Sequence, residues 1–506
     1  MTHSLCDLMT GLAAADAAGE AVRVSALSLD SRRITPGTLY IALPGSRAHG
    51  ATFAAQAVAS GAVAILTDPE GASLATDLDV PVVVVDDPRA AMAQVAARFH
   101  GHPADRLLTF GVTGTNGKTT TTFLLAAGLA AAGRRAGTIG TIGFRLDGAS
   151  LDSSGRSTVT TPESIDLQAL LADLVDAGAD SVALEVSSHA LALRRVDGIV
   201  FDVAGFINLG RDHLDFHRDL DEYFEAKAEL FAPGRCRVAV VNVDDPRGAE
   251  IASRVSTRSD ARLVTVGSGA DADYRIEDFT PAPPLGGRVR VTTGEHTRTL
   301  TLGLPGSYNA QDAVIALAML EAAGIQCADD VFAEVAIPGR MQQVRLGEEA
   351  PLAVVDFAHT PQAVSSALDA LAAFRRDHRV LVVLGCGGDR DAEKRGPMGA
   401  AAVSGADVVI VTDDNPRTED PASIRAAVLA GALAERSRHA TTSVTECPDR
   451  AAAIASALSQ AGPGDVVAVL GKGHEQGQII ADRVVEFDDV NALRDAWRRL
   501  APEGPR

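Results

Sequence analysis

The chain has 506 residues, 46% of them hydrophobic, and a formal net charge of −20. That length exceeds one ordinary core and sets an expectation of three domains, while so acidic a balance excludes a generic nucleic-acid binder, because phosphate backbones need a basic face. No run approaches the roughly 20 apolar residues of a membrane span, residues 1–20 carry acids without the basic stretch that opens a signal peptide, and five scattered cysteines (6, 236, 327, 386, 447) form no C-x-x-C pair, which fits reduced thiols better than a zinc site.

Residues 1 to about 100 alternate short strands and helices: LYIAL at 39–43, a helix near 53–61, AVAILTD, PVVVVDD and a helix over 89–100. This pattern predicts a small α/β domain, and GHPADR at 101–106 reads as a linker. From 107 a strand (LLTFGVT), a glycine loop and a helix over 118–132 are followed by SVALEV, VAGFINL and RVAVVNVDD with helical stretches between them. Apolar strands alternating with helices predict a mostly parallel sheet covered on both faces. The stretch 274–304 reads as antiparallel strands, NAQDAVIALAMLEAAG as a helix, and IPGRMQ at 337–342 as a hinge. A third α/β unit has the strands LAVVDFA, RVLVVLG, DVVIVTD and DVVAVLG, with polar residues clustered just after them, where open α/β sheets bind ligands. The expected domains are 1–102, 103–338 and 339–506.

In GVTGTNGKTTTTFLL, residues 111–125, a phosphate-binding loop runs into a helix, although the strict pattern G-x-x-x-x-G-K-[ST] wants glycine where Val112 stands. Glycines 111, 114 and 117 would let backbone N–H groups surround a phosphate at the helix N-terminus. Lys118 would reach the β- and γ-phosphates, and Thr119 would offer Mg²⁺ a hydroxyl. Glu185 ends a strand in ALEVSSHAL and reads as a Mg²⁺ ligand or equally as a cap. His213, in the acid-dense NLGRDHLDFH, reads as a second ligand or as a structural histidine. The chain holds only four lysines (118, 227, 394, 472) against 42 arginines. Lysine in such a chain reads either as a random leftover of codon bias or as a mark of chemistry a guanidinium cannot perform. A neutral amine at Lys227, on the helix YFEAKAELF, can combine with CO₂ to give a carbamate, an oxygen ligand for Mg²⁺. Neither Lys394 nor Lys472 has a role derivable from its motif.

Taken in order, TGTNGKTT, EVSSHAL, NLGRDHLDFH, the helix lysine, GSYNAQDA, PGRMQ and DFAHTP resemble the Mur ligases over essentially the whole chain, and TGTNGKT is that family's own form of the loop. The resemblance implies an α/β protein of three domains: a small N-terminal uridine-binding domain, a central P-loop-type ATPase domain with a mostly parallel sheet, and a C-terminal Rossmann-like domain. Such enzymes are ATP-dependent amide ligases that activate a carboxylate as an acyl phosphate. Within the family, LSLDSR, LPGSRAHG, GCGGDRD, TDDNPR and GKGHE resemble the branch that adds the third amino acid to UDP-N-acetylmuramoyl-L-alanyl-D-glutamate. The implied ATP contacts are Gly114, Thr115, Asn116, Gly117, Lys118, Thr119, Thr120, Asn309, Arg340 and Asp356. The implied catalytic groups are Lys118, Glu185, His213 and Lys227, the last as N6-carboxylysine, and Mg²⁺ would sit among Thr119, Glu185, His213 and Lys227.

By the same resemblance Leu29, Ser31, Ser46, Arg47 and Ala48 would hold uridine, and Thr160, Thr161, Ser187 and Arg195 the sugar-peptide end. D-N-P-R accompanies meso-diaminopimelate, whose distal carboxylate Arg417 would clasp bidentately. Arg390, Asp414, Asn415, Pro416, Gly471 and Glu475 would complete that site, and the ammonium of L-lysine would be repelled. The chain departs from the family pattern at Leu193 (often Gln), Phe357 (Tyr), Asp312 (Asn) and His49 (Asp). The implied enzyme is cytoplasmic and monomeric, with no nucleic acid and no membrane insertion, and closes its third domain over the central one about Gly339. The competing readings are the same ligase using L-lysine, a folylpolyglutamate synthetase-like ligase, which would not need the N-terminal domain, and a nucleotide switch, which would need neither the third domain nor the Lys227 helix.

Overall fold

The computed structural model describes residues 2–13, 21–45, 47–151, 159–213, 216–375 and 377–500. The chain divides into two compact units, Met1–Val266 with Leu317–Gln326, and Gly267–Ala316 with Cys327–Arg506.

The first unit opens with the strands Ala26–Ser28, Thr38–Ile41, Ala62–Thr67 and Val82–Val84, paired in chain order and all parallel. The helix expected near 53–61 is a single 3₁₀ turn, Gly50–Phe53, continued by the α-helix Ala54–Ala59. Part of the expected linker is also ordered, as the 3₁₀ turn Pro103–Arg106. Beyond it the strand Leu108–Thr113 lies between Ser181–Glu185 and Phe201–Phe206, parallel to both. Ala136–Gly140 extends the sheet on one side, and Cys236–Asn242 and Arg262–Gly267 on the other. An antiparallel hairpin, Gly143–Leu146 with Ala149–Ser150, follows Ala136–Gly140. These glycine-broken segments carry little apolar pattern, which is why the sequence reading passed over them.

Gly111 corrects that reading. It belongs to the strand Leu108–Thr113 and not to the loop, and a Cβ there would stand 2.8 Å from the Phe201 ring. Its smallness lets two neighbouring strands share a buried aromatic; only Gly114 and Gly117 serve the loop. Elsewhere Asp-Pro pairs open helices. Asp68, Asp87, Asp245 and Asp420 each accept a first-turn N–H through the carboxylate, with proline at the following position, where no N–H is needed.

In the second unit the strands run in the order Gln342–Val344, Leu352–Asp356, Val466–Leu470, Val380–Leu384, Val408–Val411, Ser443–Glu446. Only the first pair is antiparallel. VLVVL, VVIV and VVAVL are buried throughout, as befits strands covered on both faces. The parallel strands bring residues 357–360, 385–390, 412–417 and 471–475 to one edge of the sheet. Tyr274–Pro281, Gly287–Thr293 and His296–Leu302 form the expected antiparallel group. Unanticipated is a second hairpin, Gly477–Ile480 with Arg483–Glu486. The helix Asp489–Leu500 is moored at its first residue, where Arg450 grips Asp489 through both carboxylate oxygens at 2.7 and 2.8 Å, with both side chains fully buried. No described helix is long and apolar enough to cross a membrane.

Candidate active site

The helix Lys118–Ala131 begins after Gly117, whose φ of +87° suits glycine, and its first turn has no side-chain cap. Uncapped N–H groups at a helix start are what a phosphate anion satisfies. Gly114 is held close: a Cβ would come within 3.0 Å of Ile207 and 3.2 Å of the Asn116 carbonyl. The loop is braced against residues 208–210. Thr115 N–H donates to the Asn208 carbonyl, Asn116 N–H to Asn208 Oδ1 (3.0 Å), and Gly210 N–H to Thr115 Oγ1 (2.8 Å).

Two lysines converge on one carbonyl. Lys118 Nζ donates to the carbonyls of Gly114 (2.7 Å) and Thr115 (2.9 Å), and Lys227 Nζ, from the helix Leu220–Ala228, donates to Gly114 at 2.8 Å. Lys227 is 1% exposed. Burial, and then the charge of Lys118, hold its amine well below the usual lysine range, with Asp212 opposing them. Tyr223, one helical turn before it, sits under the amine at 4.5 Å and brings its hydroxyl within 3.1 Å of Thr115 Oγ1.

Glu185, 2% exposed, accepts from Thr119 Oγ1 (3.0 Å) and Thr141 N–H (2.9 Å) on Oε1, and from Thr141 Oγ1 (3.0 Å) on Oε2. A Cβ on Gly140 would fall 2.1 Å from Oε1. Gly140→Ala is therefore expected to push the carboxylate off Thr119 and lower kcat by about 10²-fold, the order of loss that follows a displacement of roughly 1 Å. Steady-state phosphate release checks this, and an unchanged kcat would mean that the carboxylate position is immaterial.

His213 belongs to an aromatic group. Its ring meets His189 edge-on at 4.8 Å and lies 6.0 Å from Tyr223, while the buried His217 places Nε2 3.0 Å from Ser188 Oγ. Of the four expected metal positions, then, Thr119 and Glu185 touch, Lys227 meets the loop at Gly114, and His213 approaches it through Tyr223. Among the described residues no three His, Cys, Asp or Glu side chains gather into a cage. The set is instead a hydroxyl, one carboxylate, one imidazole and an amine able to become a carbamate. That donor chemistry fits Mg²⁺, which takes few protein oxygens and keeps its waters.

The residues expected at the sugar-peptide end also come together. Thr161 Oγ1 donates to the Glu185 carbonyl (2.8 Å) and accepts Ser187 N–H (3.1 Å), Arg195 reaches the Thr161 carbonyl (2.9 Å), and Thr160 Oγ1 lies 3.2 Å from Thr141 Oγ1. Leu193 accepts a bond from Arg89 through its carbonyl at 3.4 Å. Of the residues expected to hold uridine, Ser46 lies outside the described residues. Leu29 and Ser31 follow the strand Ala26–Ser28, and Arg47 and Ala48 follow the neighbouring Thr38–Ile41. At His49, where the family pattern has aspartate, Nδ1 accepts Ala51 N–H at 3.0 Å to cap a turn, and Nε2 faces Asp68 at 3.1 Å.

In the second unit Asp356 is buried between two backbone donors, Met341 N–H (2.6 Å) and Ala358 N–H (2.8 Å), and that burial raises its carboxyl. Arg340 lies over the Phe357 ring at 4.6 Å, a contact that needs no phenolic hydroxyl. Asn309 is buried, donating to the Pro305 carbonyl at 2.6 Å. At the opposite stretch of the same sheet edge, Arg417 adopts φ +52°, donates its guanidinium to the Gly388 carbonyl (2.6 Å), and is bracketed by Ile479 and Ala481 of the hairpin. Arg390 is exposed, and Pro416 is packed so closely that a Cβ on Gly388 would lie 2.0 Å from its carbonyl. Gly471, at φ +113°, leaves space for Asp414, whose Oδ2 would be 2.6 Å from a Cβ there. Burial raises the Asp414 carboxyl. Asn415 donates to Glu475 at 2.7 Å.

Family models match in three consecutive stretches: the Mur ligase family catalytic domain over residues 23–100, the Mur ligase middle domain over 112–320, and the Mur ligase glutamate ligase domain over 339–473. A Streptomyces avermitilis protein named UDP-N-acetylmuramoyl-L-alanyl-D-glutamate--2,6-diaminopimelate ligase is 47% identical, the match covering 94% of this chain and 92% of that one. This chain belongs to the Mur ligase family. A Corynebacterium glutamicum Mur ligase of the same name is 44% identical over 95% of this chain and 93% of its own. A solved Mur ligase structure bearing that name superposes with a TM-score of 0.69 at 33% identity, over 99% of both chains. The architecture is accordingly the three-domain Mur ligase one, and the chain is an ATP-dependent, amide-forming ligase.

Sequence reasoning missed several residues of this Mur ligase site. Thr141 fixes both oxygens of Glu185, and Glu163 is clasped by Arg89 (3.2 Å) and Arg195 (3.0 Å). Their partners are 32 to 74 positions away, so no local signal exists. Tyr223 could have been found, since it shares a helix face with Lys227 four residues on.

Proposed function

We propose that this Mur ligase uses ATP to join meso-diaminopimelate to the D-glutamate of UDP-N-acetylmuramoyl-L-alanyl-D-glutamate, in the cytoplasmic assembly of peptidoglycan precursors. The likeness to ligases of that name along nearly the whole chain supports it. The structural observation that carries it is the convergence of Lys118 and the buried Lys227 on one loop carbonyl. A buried amine whose charge is disfavoured can add CO₂, forming an N–C bond and releasing a proton to give the carbamate. Uridine would bind in 1–102, ATP in 103–338 and the amino acid in 339–506.

In the proposed sequence Lys118 and the loop amides neutralise the γ-phosphate while the glutamyl carboxylate attacks it. Glu185, Thr119, His213 and carbamylated Lys227 would hold Mg²⁺, which supplies charge neutralisation. Thr161, Ser187 and Arg195 orient the peptide end. The amine of diaminopimelate then displaces phosphate from the acyl phosphate. Asn309, Arg340 and Asp356 would complete the nucleotide contacts. The active species would be a monomer.

The test is phosphate release with the nucleotide dipeptide, comparing meso-diaminopimelate with L-lysine in wild type and Arg417→Ala. Turnover should need the dipeptide and prefer diaminopimelate, and the variant should lose on the order of 10- to 100-fold in that preference, as expected for one charge-assisted pair. Turnover with lysine would remove the role given to Arg417, and turnover with neither would remove the proposal.

A further inference from the structure

Lys472 is the lysine whose motif suggested no role. It follows the strand Val466–Leu470, and its side chain is 0% exposed. Its Nζ donates to Asn415 Oδ1 (3.2 Å), Glu475 Oε2 (2.9 Å) and the Gly477 carbonyl (2.6 Å). An ammonium has three N–H groups, so all are committed within the fold. Three acceptors around one nitrogen suit a compact ammonium and not the planar fork of a guanidinium. That accounts for lysine here in a chain that otherwise uses arginine.

The bonds continue outward. Asn415 Oδ1 also accepts Ile479 N–H (2.9 Å), and Asn415 Nδ2 donates to the same Glu475 Oε2 at 2.7 Å. Oε2 is thus doubly occupied by Lys472 and Asn415. Oε1 accepts no hydrogen bond among the described residues, and the carboxylate is one-third exposed. Lys472 therefore sets which oxygen of Glu475 faces outward, fixes the rotamer of Asn415, and ties both to the hairpin beside Arg417.

We infer that Lys472 is the positioning residue of the amino-acid site: it touches no substrate, but locks Asn415 and Glu475 so that Glu475 Oε1 meets the ammonium of the incoming amino acid. The inference rests on the proposed function in one respect, that residues 414–417 and 471–475 take the amino acid.

The experiment compares wild type, Lys472→Met, Lys472→Arg, Glu475→Gln and the Lys472→Met/Glu475→Gln pair in the full chain. It reads KM for diaminopimelate, ATP and the nucleotide dipeptide, together with hydrogen exchange at the Ile479 amide. Lys472→Met should raise the diaminopimelate KM by about tenfold or more, with the other two KM values within about twofold, the signature of lost ground-state binding of one substrate. Lys472→Arg should not rescue it, Lys472→Met should add less than about threefold once Glu475 is glutamine, and Ile479 exchange should quicken. A diaminopimelate KM that stays put, three KM values rising together, or unaltered Ile479 exchange would overturn the inference. Lys472→Gln, still able to donate, replaces the methionine variant if that fails to fold, and should shift the same KM less far. If wild type accepts L-lysine instead, the proposed substrate falls and the KM comparison is made with lysine; if it accepts neither, the amino-acid site on which the inference rests is overturned with it.

Discussion

Lys118→Met should lower kcat by roughly 10³-fold, the lower end of what removing a positioned cation from a transferring phosphoryl group costs. The substitution keeps the length of the side chain and removes the charge, and Gly114 O still accepts from Lys227 at 2.8 Å, so the loop retains a donor. The loss should fall on kcat and on kcat/KM together, because the neutralised charge develops in the transition state. Rapid-quench measurement of acyl-phosphate formation locates the defect. A variant that forms acyl phosphate at the wild-type rate would show that Lys118 serves only to bind nucleotide.

Lys227→Met should cost a comparable factor, about 10²- to 10³-fold in kcat, the range for removing one group that stabilises developing charge. Lys227→Arg should be equally poor: a guanidinium keeps the positive charge but cannot become a carbamate. Wild-type activity retained by the arginine variant would sink the carbamate. The same residue makes a stability prediction of opposite sense. In the unfolded chain Lys227 holds its proton up to about 10.5, and in the fold burial makes it release the proton at lower pH. Between those two values unfolding takes up a proton, so this residue weakens the fold most at the lower pH, and the penalty fades as pH climbs toward the unfolded value. In CO₂-free buffer Lys227→Met should therefore melt higher than wild type near pH 7, by an amount that shrinks as pH approaches 10. A variant that melts lower across that range would remove the desolvation argument.

What could be read from the chain divides by distance along it. The phosphate loop was legible because glycine, lysine and threonine sit within seven consecutive positions whose spacing is itself the geometry. The strands of the second unit were legible because VLVVL, VVIV and VVAVL are continuous apolar runs that only a doubly covered sheet buries. Gly111 misled because the letters cannot say whether a glycine makes a turn or clears room for a ring; here it clears room for Phe201. The hairpin Gly477–Ile480 with Arg483–Glu486 was missed because Ala481 and Asp482 stand where Asn-Gly would signal a tight turn. His49 read only as a departure from the family pattern; its role as a cap for Ala51 N–H shows only in the fold. Glu163, Thr141 and Lys472 matter through partners that folding alone brings near.

The scarcity of lysine has a practical corollary for labelling. Lys227 and Lys472 are sealed at 1% and 0% exposure, while Lys118 and Lys394 are half-buried. Apart from the α-amino group, an acylating reagent that seeks amines has two side chains within reach, and one of them stands in the phosphate loop. Peptide mapping of such a reaction, with and without nucleotide, would turn the loop into its own occupancy gauge without any engineered tag.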